Sequence, residues 1–255
     1  MSRPPTSARP RLVRSLLRLF TVQGSWNYER MQGIGIGVAE EPLLRDLRGE
    51  GRDDGVAYRA AVARGAHFFN AHPYLCGLAV GAAARAEHED VPPDQIERLR
   101  TALCGPLGSL GDRLVWAGWL PFTSGLALIA VALGLGWSAT LAFVVVYNVG
   151  HVALRWWALR AGWTYGAQVA QALREPLLQR ATALSGPAMA LVVGAALPLV
   201  AQYLSSALFG WTRLALAAVV AGGFALVWWQ RARLTGVRLG LGLLAVAALA
   251  GWLWP

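Results

Sequence analysis

The distribution of apolar and polar positions changes near residue 121. Before that point short apolar runs alternate with charged residues, whereas apolar residues are almost continuous afterwards. A helix of about twenty apolar residues crosses the roughly 30 Å of hydrocarbon in a bilayer. The pattern therefore predicts an all-α, polytopic membrane protein, with an amphipathic and re-entrant N-terminal region over residues 1–121 and a transmembrane region over residues 122–255.

The transmembrane region contains about five apolar stretches of suitable length. They cover roughly residues 122–137, 139–159, 183–209, 212–230 and 239–254. Most tryptophans lie near the ends of these stretches, as interfacial aromatic belts do. All arginines beyond residue 121 except Arg213 lie on one side of the stretches. By the positive-inside rule we expect a cytoplasmic N-terminus and an external C-terminus.

The N-terminal region begins with amphipathic segments. Residues 9–20 place leucines at helical spacing with arginines between them, which predicts a helix lying in the membrane interface. The arginines interrupt the apolar run too often for a cleaved signal peptide. Residues 25–48 and 54–70 predict two further helices with polar faces, on the cytoplasmic side.

The rest of the N-terminal region predicts embedded and broken helices. The apolar run over residues 73–86 is about fourteen residues long, too short to span the bilayer, and favours an embedded or re-entrant helix. A polar helix starts at Pro92 and Pro93. The glycine-rich sequence over residues 105–112 predicts that this helix is broken there.

Composition excludes several classes of chemistry. All 23 cationic residues are arginine, so the chain has neither a Walker A lysine nor a Schiff-base lysine. The net charge of +9 favours contact with anionic membrane lipids over nucleic acid, since the arginines flank apolar stretches. The two cysteines and four histidines lack metal-ligand spacing, so neither a metal site nor a cofactor is predicted. Gly33–Gly37 is interpreted as a place of close helix approach rather than a nucleotide loop.

Two sets of polar residues fall within apolar sequence. Asn148, His151 and Arg155 share one helical face, which either packs on a neighbouring helix or lines a wet cavity. Asp112 cannot remain unpaired in lipid, and we expect it in a broken-helix region that holds a polar solute. The alternative is a loop acid paired with Arg113 or Arg100.

Four blocks of sequence together resemble a known family. They are Gly24–Met31, His67–Tyr74, Cys104–Asp112 and Asn148–Trp157, in the family's order over about residues 20–180. The chain is similar to the IID subunit of the mannose/fructose/sorbose family of the phosphoenolpyruvate-dependent sugar phosphotransferase system. The sequence departs from the usual family pattern at His67, at Glu40–Glu41 and at Arg113.

The resemblance implies a transporter subunit and not an enzyme. Such subunits work with a IIC membrane partner to carry a hexose such as mannose across the inner membrane, and separate IIA and IIB proteins carry the phosphate. The alternative is a membrane scaffold or sensor that anchors phosphotransferase proteins without moving sugar. An intramembrane enzyme using His151 and Asp112 lacks an evident nucleophile.

Candidate site residues follow from the chemistry of sugar binding. Hydroxyl groups need amide and carboxylate partners together with an aromatic face. The residues that supply these types in the family blocks are the predicted substrate pathway: Trp26, Asn27, Glu29, Asn70 and Asp112. Tyr28, Arg30 and Met31 are the predicted interface with the IIC partner, because tyrosine and arginine are typical interface anchors.

Overall fold

A computed structural model describes residues 9–48 and 55–206, with the isolated positions 218 and 222. These residues form helices without a regular strand, which confirms the all-α prediction. The stretches predicted at 212–230 and 239–254 lie outside the described residues. The α-helices are α1 (Arg9–Leu19), α2 (Gly33–Leu44), α3 (Val56–Gly65), α4 (Cys76–His88), α5 (Pro93–Gly111), α6 (Leu120–Ala132), α7 (Trp137–Tyr165) and α8 (Pro176–Ser206).

Three short segments have other helical geometries. Arg45–Arg48 and Gly166–Arg174 are 3₁₀ helices, and Asp112–Trp119 is a π-helix that joins α5 to α6. A compact unit covers Met1–Leu199. A second unit, Val200–Pro255, is described only at the end of α8 and at the two isolated positions.

Three helical stretches are long and apolar enough to cross a membrane. Among the described residues these are Pro93–Ala132, Trp137–Arg174 and Pro176–Tyr203. They account for the first three predicted spans. The turn between α6 and α7 lies at Gly134 and Gly136, whose positive φ angles of 92° and 56° favour glycine.

Helix α4 forms the centre of the unit. Ten of its thirteen residues are buried, and it packs chiefly along α7. The helices approach closely because Gly77, Gly81 and Gly162 leave room for the opposite backbone: a Cβ atom at Gly77 would lie 2.8 Å from the Leu159 nitrogen. The short apolar run thus forms a helix buried in protein, and its embedded or re-entrant position in the membrane stays a prediction.

Helix α1 has the predicted amphipathic form, with one face packed on protein. Leu12 and Leu19 are fully buried against the core, and the Ser15 hydroxyl donates to the Ala39 carbonyl at 2.5 Å. Val13 and Leu17 remain exposed on the other face. This exposed face is the one left to contact a membrane interface.

Helix α2 differs from the prediction in its start and its surroundings. It begins at Gly33 rather than near residue 25, because residues 25–32 form a turn with Met31 at a positive φ of 51°. The prediction of a polar face is wrong, since nine of the twelve residues are buried. Gly33 and Gly35 lie directly against the backbones of His67 and Val22. The predicted close approach is therefore present, but the neighbouring segments are turns and not helices.

The predicted break in α5 is wrong in position. Gly105 and Gly108 lie within the helix, which continues to Gly111. Leu103 and Leu107, one turn apart, are buried on the same side and anchor this part of the helix to the core. The departure from regular α-helix comes instead at Asp112, where the π-helix begins.

Candidate functional site

A cleft of about 600 Å³ opens where α5 meets the loop before α4. Both elements, together with the first turn of the π-helix, supply its walls. We call it the Asp112 cleft. It is lined by Phe68, Asn70, Ala71, His72, Pro73, Cys104, Gly105, Gly108, Ser109, Asp112 and Trp116.

Two predicted pathway residues, Asn70 and Asp112, come together in this cleft. Both are exposed to it. The alternative in which Asp112 pairs with Arg100 is wrong, because Arg100 binds Glu40 at 3.0 Å and the Gly65 carbonyl at 2.7 Å. Among the described contacts there is likewise no ion pair between Asp112 and Arg113. The carboxylate is thus available to a solute.

His72 belongs to the same cleft, although sequence analysis treated it as an ordinary histidine. It is 2% exposed, and its Nδ1 accepts the Tyr74 N–H at 3.2 Å. Burial lowers its pKa to about 4, so the ring is neutral near pH 7 and its proton lies on Nε2. That nitrogen has no partner in the described structure. His72 therefore carries an unused hydrogen-bond donor beside the cleft, at an atom that is itself shielded from solvent.

Gly111 makes this position of His72 possible. A side chain at residue 111 would overlap the Cβ and ring of His72. The glycine directly before Asp112 is thus a packing requirement and not a helix breaker.

The π-helix presents Asp112 and Trp116 to the cleft from successive turns. π-helical turns frequently occur at functional sites because the extra residue re-aims side chains. The Trp116 ring lies 4.9 Å from the His72 ring. Together with Phe68 it gives the cleft aromatic surface beside its carboxylate and amide.

The loop over residues 25–32 carries the other predicted site residues, which do not line the Asp112 cleft. Asn27 shapes this loop: its Oδ1 accepts the backbone N–H groups of Glu29 and Arg30 at 3.1 and 2.9 Å. Trp26 packs edge-on against Tyr28, with ring centroids 4.9 Å apart. Tyr28 is 85% exposed and has the most open aromatic ring in the loop.

The same loop is fastened to the edge of the cleft. The Phe69 N–H donates to the Arg30 carbonyl at 3.2 Å, and the Gln32 N–H donates to the Phe69 carbonyl at 2.9 Å. Phe69 is fully buried and directly precedes Asn70. These backbone hydrogen bonds therefore connect the exposed loop to the segment that carries Asn70, a residue that lines the cleft.

The predicted face on α7 divides among three environments. The Asn148 amide donates to the Val144 carbonyl of its own helix and stays exposed. Arg155 is buried and donates to the Leu19 and Pro73 carbonyls at 2.5 and 3.1 Å. His151 lines a second cavity of about 180 Å³. The packing alternative is thus confirmed at Arg155, whereas a wet cavity beside His151 stays a prediction.

His151 and Asp112 do not meet, because they line different cavities. The joint chemistry considered for an intramembrane enzyme therefore has no geometric basis here. Within the described ranges, no three His, Cys, Asp or Glu residues are arranged to hold a metal ion.

Among the residues that depart from the family pattern, Glu40 and Glu41 have ionic partners and His67 lies near an acid. Glu40 is buried with Arg100, and desolvation raises its pKa to about 7 despite that guanidinium. Hydrogen bonds from Arg45, Tyr58 and Arg18 lower the pKa of Glu41 to about 2. His67 lies 3.3 Å from Glu97. The unusual acids on α2 thus form part of a structural network away from the cleft.

The chain is similar in sequence to known proteins of one family. A family model described as "PTS system mannose/fructose/sorbose family IID component" matches residues 8–211. The sorbose-specific EIID component of Klebsiella pneumoniae is 32% identical over 67% of this chain and 62% of its own length. The mannose-specific EIID component of Escherichia coli K12 is 28% identical over 65% and 59%. The chain thus spans about three fifths of the length of these curated relatives.

Structural comparisons support the same fold. A solved chain titled "Structure of membrane protein" superposes with a TM-score of 0.67 at 22% identity, covering 97% of both chains. A chain of the mannose transporter ManYZ in complex with microcin E492 gives a TM-score of 0.53 at 22% identity, covering 99% of this chain and 97% of that one. With the family match, these observations show that the protein belongs to the mannose/fructose/sorbose family of the sugar phosphotransferase system, as a IID component.

Proposed function

We propose that this chain is the subunit that, with a IIC partner, translocates a hexose such as mannose across the inner membrane. Phosphate is supplied by separate IIA and IIB proteins, so the chain itself is not an enzyme. The observation that supports the proposal is the open Asp112 cleft, because its lining has the side chains that a sugar site needs. The chain also belongs to a family of sugar phosphotransferase components. The N-terminus is assigned to the cytoplasm and the C-terminus to the exterior by the positive-inside rule.

The cleft has the chemistry that a hexose requires. The Asp112 carboxylate accepts hydrogen bonds from hydroxyl groups, whereas the Asn70 amide both donates and accepts. Trp116 and Phe68 supply apolar surface for the C–H face of the ring. The volume of about 600 Å³ falls in the range of small-molecule sites and leaves room for water beside the sugar.

Residues 25–32 form the proposed contact with the IIC partner. Tyr28, Arg30 and Met31 serve as interface residues, supported by the exposed Tyr28 ring and the hydrogen-bonded turn that holds it. Trp26, Asn27 and Glu29 stand at the end of the pathway where the partner completes it. Because Phe69 ties this loop to Asn70, partner binding and sugar binding are coupled.

Chemical labelling of the native Cys104 thiol tests sugar binding directly, because Cys104 lines the cleft. Cys76 is fully buried, and burial raises its pKa to about 12, so a thiol reagent attacks Cys104 selectively. In vesicles containing the chain and its IIC partner, saturating mannose should slow labelling of Cys104 by a charged methanethiosulfonate. The same protection should be lost in Asp112→Asn and kept in Asp94→Asn, whose carboxylate pairs with Arg98 at the surface.

Two outcomes separate the proposal from its alternative. Protection that depends on Asp112 supports sugar binding in the cleft. Unchanged labelling at saturating mannose, in a complex that still copurifies with IIC and IIB proteins, would favour the non-transporting scaffold.

A further inference from the structure

Helix α7 has an exposed stripe on its membrane-spanning part. Leu141, Val145, Asn148 and Val152 follow one another at intervals of four, three and four residues, so they lie on one face of the helix. All four are exposed, and we call this face the α7 stripe. Three of its members are aliphatic, as expected of a surface that meets lipid or an apolar helix. Asn148 is the exception.

Asn148 lies near the middle of the membrane-spanning part of α7. Trp137 and Trp157 mark the two membrane interfaces, where tryptophan is enriched. They are twenty residues apart, which corresponds to about 30 Å of helix, the thickness of the hydrocarbon layer. Asn148 is eleven residues from Trp137, so it lies about 16 Å from that interface. The amide is thus placed at the most apolar depth of the bilayer.

The Asn148 amide is only partly hydrogen-bonded. Its Nδ2 donates to the Val144 carbonyl at 2.7 Å, one turn earlier in α7. The amide also has a second N–H donor and an oxygen with two lone pairs, for which the described structure shows no partner. The hydrocarbon layer contains no water to bind these groups, and side-chain amides at such depths hydrogen-bond across helices. The α7 stripe is therefore a surface that another protein segment covers.

The remaining apolar stretches of this chain lack a group that completes the hydrogen bonding of Asn148. The stretches predicted at 212–230 and 239–254 have no hydrogen-bonding side chain between residues 214 and 227 or between residues 239 and 251. Packed on α7, their middle parts would leave the amide unsatisfied. This favours a segment of another chain that carries a hydrogen-bonding side chain at the middle of the membrane.

The α7 stripe continues toward the loop that was assigned to the IIC partner. Near its Val152 end, the Phe20 ring lies 5.5 Å from the ring of His151, and Phe20 is itself exposed. From Phe20 two hydrogen-bonded turns lead directly to Trp26, at the start of the loop over residues 25–32. Exposed aromatic and aliphatic side chains therefore extend from this loop to the stripe, so one partner can contact both.

We propose that the α7 stripe is the membrane-embedded part of the surface that receives the IIC partner. A membrane helix of that partner packs on the aliphatic side chains of the stripe, and its own hydrogen-bonding side chain meets the Asn148 amide. The identity of the partner rests on the proposed function, whereas the need to cover Asn148 does not. The amide fixes the depth at which the two helices meet, because the aliphatic contacts alone allow them to slide.

Photo-crosslinking tests which molecule covers the stripe. Benzoylphenylalanine is placed at Val145, which is 52% exposed on the stripe, or at Val146, which is 47% exposed but turned about 100° away. In vesicles that contain the chain with a co-expressed IIC protein, illumination should join it to IIC from position 145 in severalfold higher yield than from position 146. Crosslinks from position 145 to a second copy of this chain, to its own residues 207–255 or to lipid alone would each overturn the proposal.

The variant Asn148→Leu tests the polar contact. It should weaken copurification with IIC about threefold to tenfold, the effect of one interhelical hydrogen bond in a membrane. Val146→Leu is the matched control and should copurify like the parent protein. Undiminished copurification of Asn148→Leu would overturn the role of the amide.

Thermal unfolding of the isolated chain separates this contact from a role of Asn148 in the fold. The midpoint of Asn148→Leu should equal or exceed that of the parent, because the Val144 carbonyl keeps its backbone partner within α7. A lower midpoint would show that the amide serves the fold of this chain, and it would overturn the proposal.

Failure of this proposal can be told apart from failure of the proposed function. Crosslinks to IIC from position 145, without protection of Cys104 by mannose, would leave the surface standing and count against sugar binding in the Asp112 cleft. Protection of Cys104 together with crosslinks to any other molecule would overturn the α7 stripe alone.

Discussion

The Arg100 guanidinium and the Glu40 carboxylate form a buried ion pair between α5 and α2, with 3.0 Å between Nη1 and Oε2. Both side chains are almost inaccessible to solvent, and Arg100 also donates to the Gly65 carbonyl on α3. The pair thus ties three helices together. It also gives a buried partner to Glu40, one of the residues at which the sequence departs from the usual family pattern.

Removing one member of this pair should destabilise the protein strongly. Arg100→Met leaves a buried carboxylate without its partner, for which a loss of about 3–5 kcal/mol in unfolding free energy is expected. Arg98→Met is the matched control, because Arg98 pairs with Asp94 at the surface and should change stability by less than about 1 kcal/mol. Thermal unfolding in detergent measures both variants, and equal midpoints would refute the structural role of the pair.

Stability should depend on pH through Glu40. Burial raises the pKa of Glu40 from 4.5 to about 7, so between these values the folded state holds a proton that the unfolded state has released. The Glu40 contribution to stability therefore falls as pH rises from about 5 to about 7. Arg100, Arg64 and Glu87 are the charged groups that act on it.

His72 opposes this trend, since burial lowers its pKa from 6.5 to about 4 and its contribution rises with pH over that interval. Comparison of the parent protein with Glu40→Gln isolates the Glu40 effect. The unfolding midpoint of the parent should fall relative to Glu40→Gln between pH 5 and pH 7. A constant difference would contradict the assignment of a raised pKa to Glu40.

The crossing of α4 and α7 should tolerate no side chain at Gly81. A Cβ atom there would meet the Leu159 carbonyl oxygen at 2.5 Å and the Trp163 backbone nitrogen. Gly81→Ala should therefore separate the helices and lower the unfolding free energy by about 1–3 kcal/mol. Gly194→Ala on α8, which meets nothing within 4 Å, serves as control and should be neutral or slightly stabilising.

Two residues of the loop over residues 25–32 are expected to have different roles, Asn27 in folding and Tyr28 in partner binding. Tyr28→Ala removes an exposed ring and should weaken copurification with the IIC partner about tenfold or more while stability changes little. Asn27→Ala removes two hydrogen bonds to backbone N–H groups and should lower the stability of the loop by about 1 kcal/mol. Undiminished copurification of Tyr28→Ala would remove the loop from the proposed interface.

Some elements of the fold could be predicted from the sequence pattern and others could not. Hydrophobic periodicity located α1 and the embedded α4, because burial of apolar side chains dominates both helices. The glycine-rich pattern wrongly predicted a helix break at Gly105, because Leu103 and Leu107 hold the helix against the core. At Gly33 the glycine pattern correctly predicted that another part of the backbone passes close by. Local pattern could not predict the turn at Asn27, which depends on a side-chain cap and on hydrogen bonds to Phe69.

The residues of the site could be predicted only in part from the sequence, for a related reason. Asn70 and Asp112 were expected to act together because of their residue types, and they share the cleft. His72 was missed, since nothing in its local sequence shows that a glycine forty residues away, Gly111, makes room for its ring. The alternative that paired Asp112 with Arg100 was wrong, because the buried pair of Arg100 with Glu40 joins segments far apart in sequence. Contacts between distant segments are fixed by packing and leave little trace in local pattern.

Phosphoenolpyruvate-dependent uptake of labelled mannose tests the role of Asp112 in sugar passage most directly. Cells lacking their own mannose-family transporter would express the chain with its IIC, IIB and IIA partners. Asp112→Asn should abolish uptake while the complex still assembles, and the surface variant Asp94→Asn should transport like the parent. Equal uptake by Asp112→Asn and the parent would contradict the account.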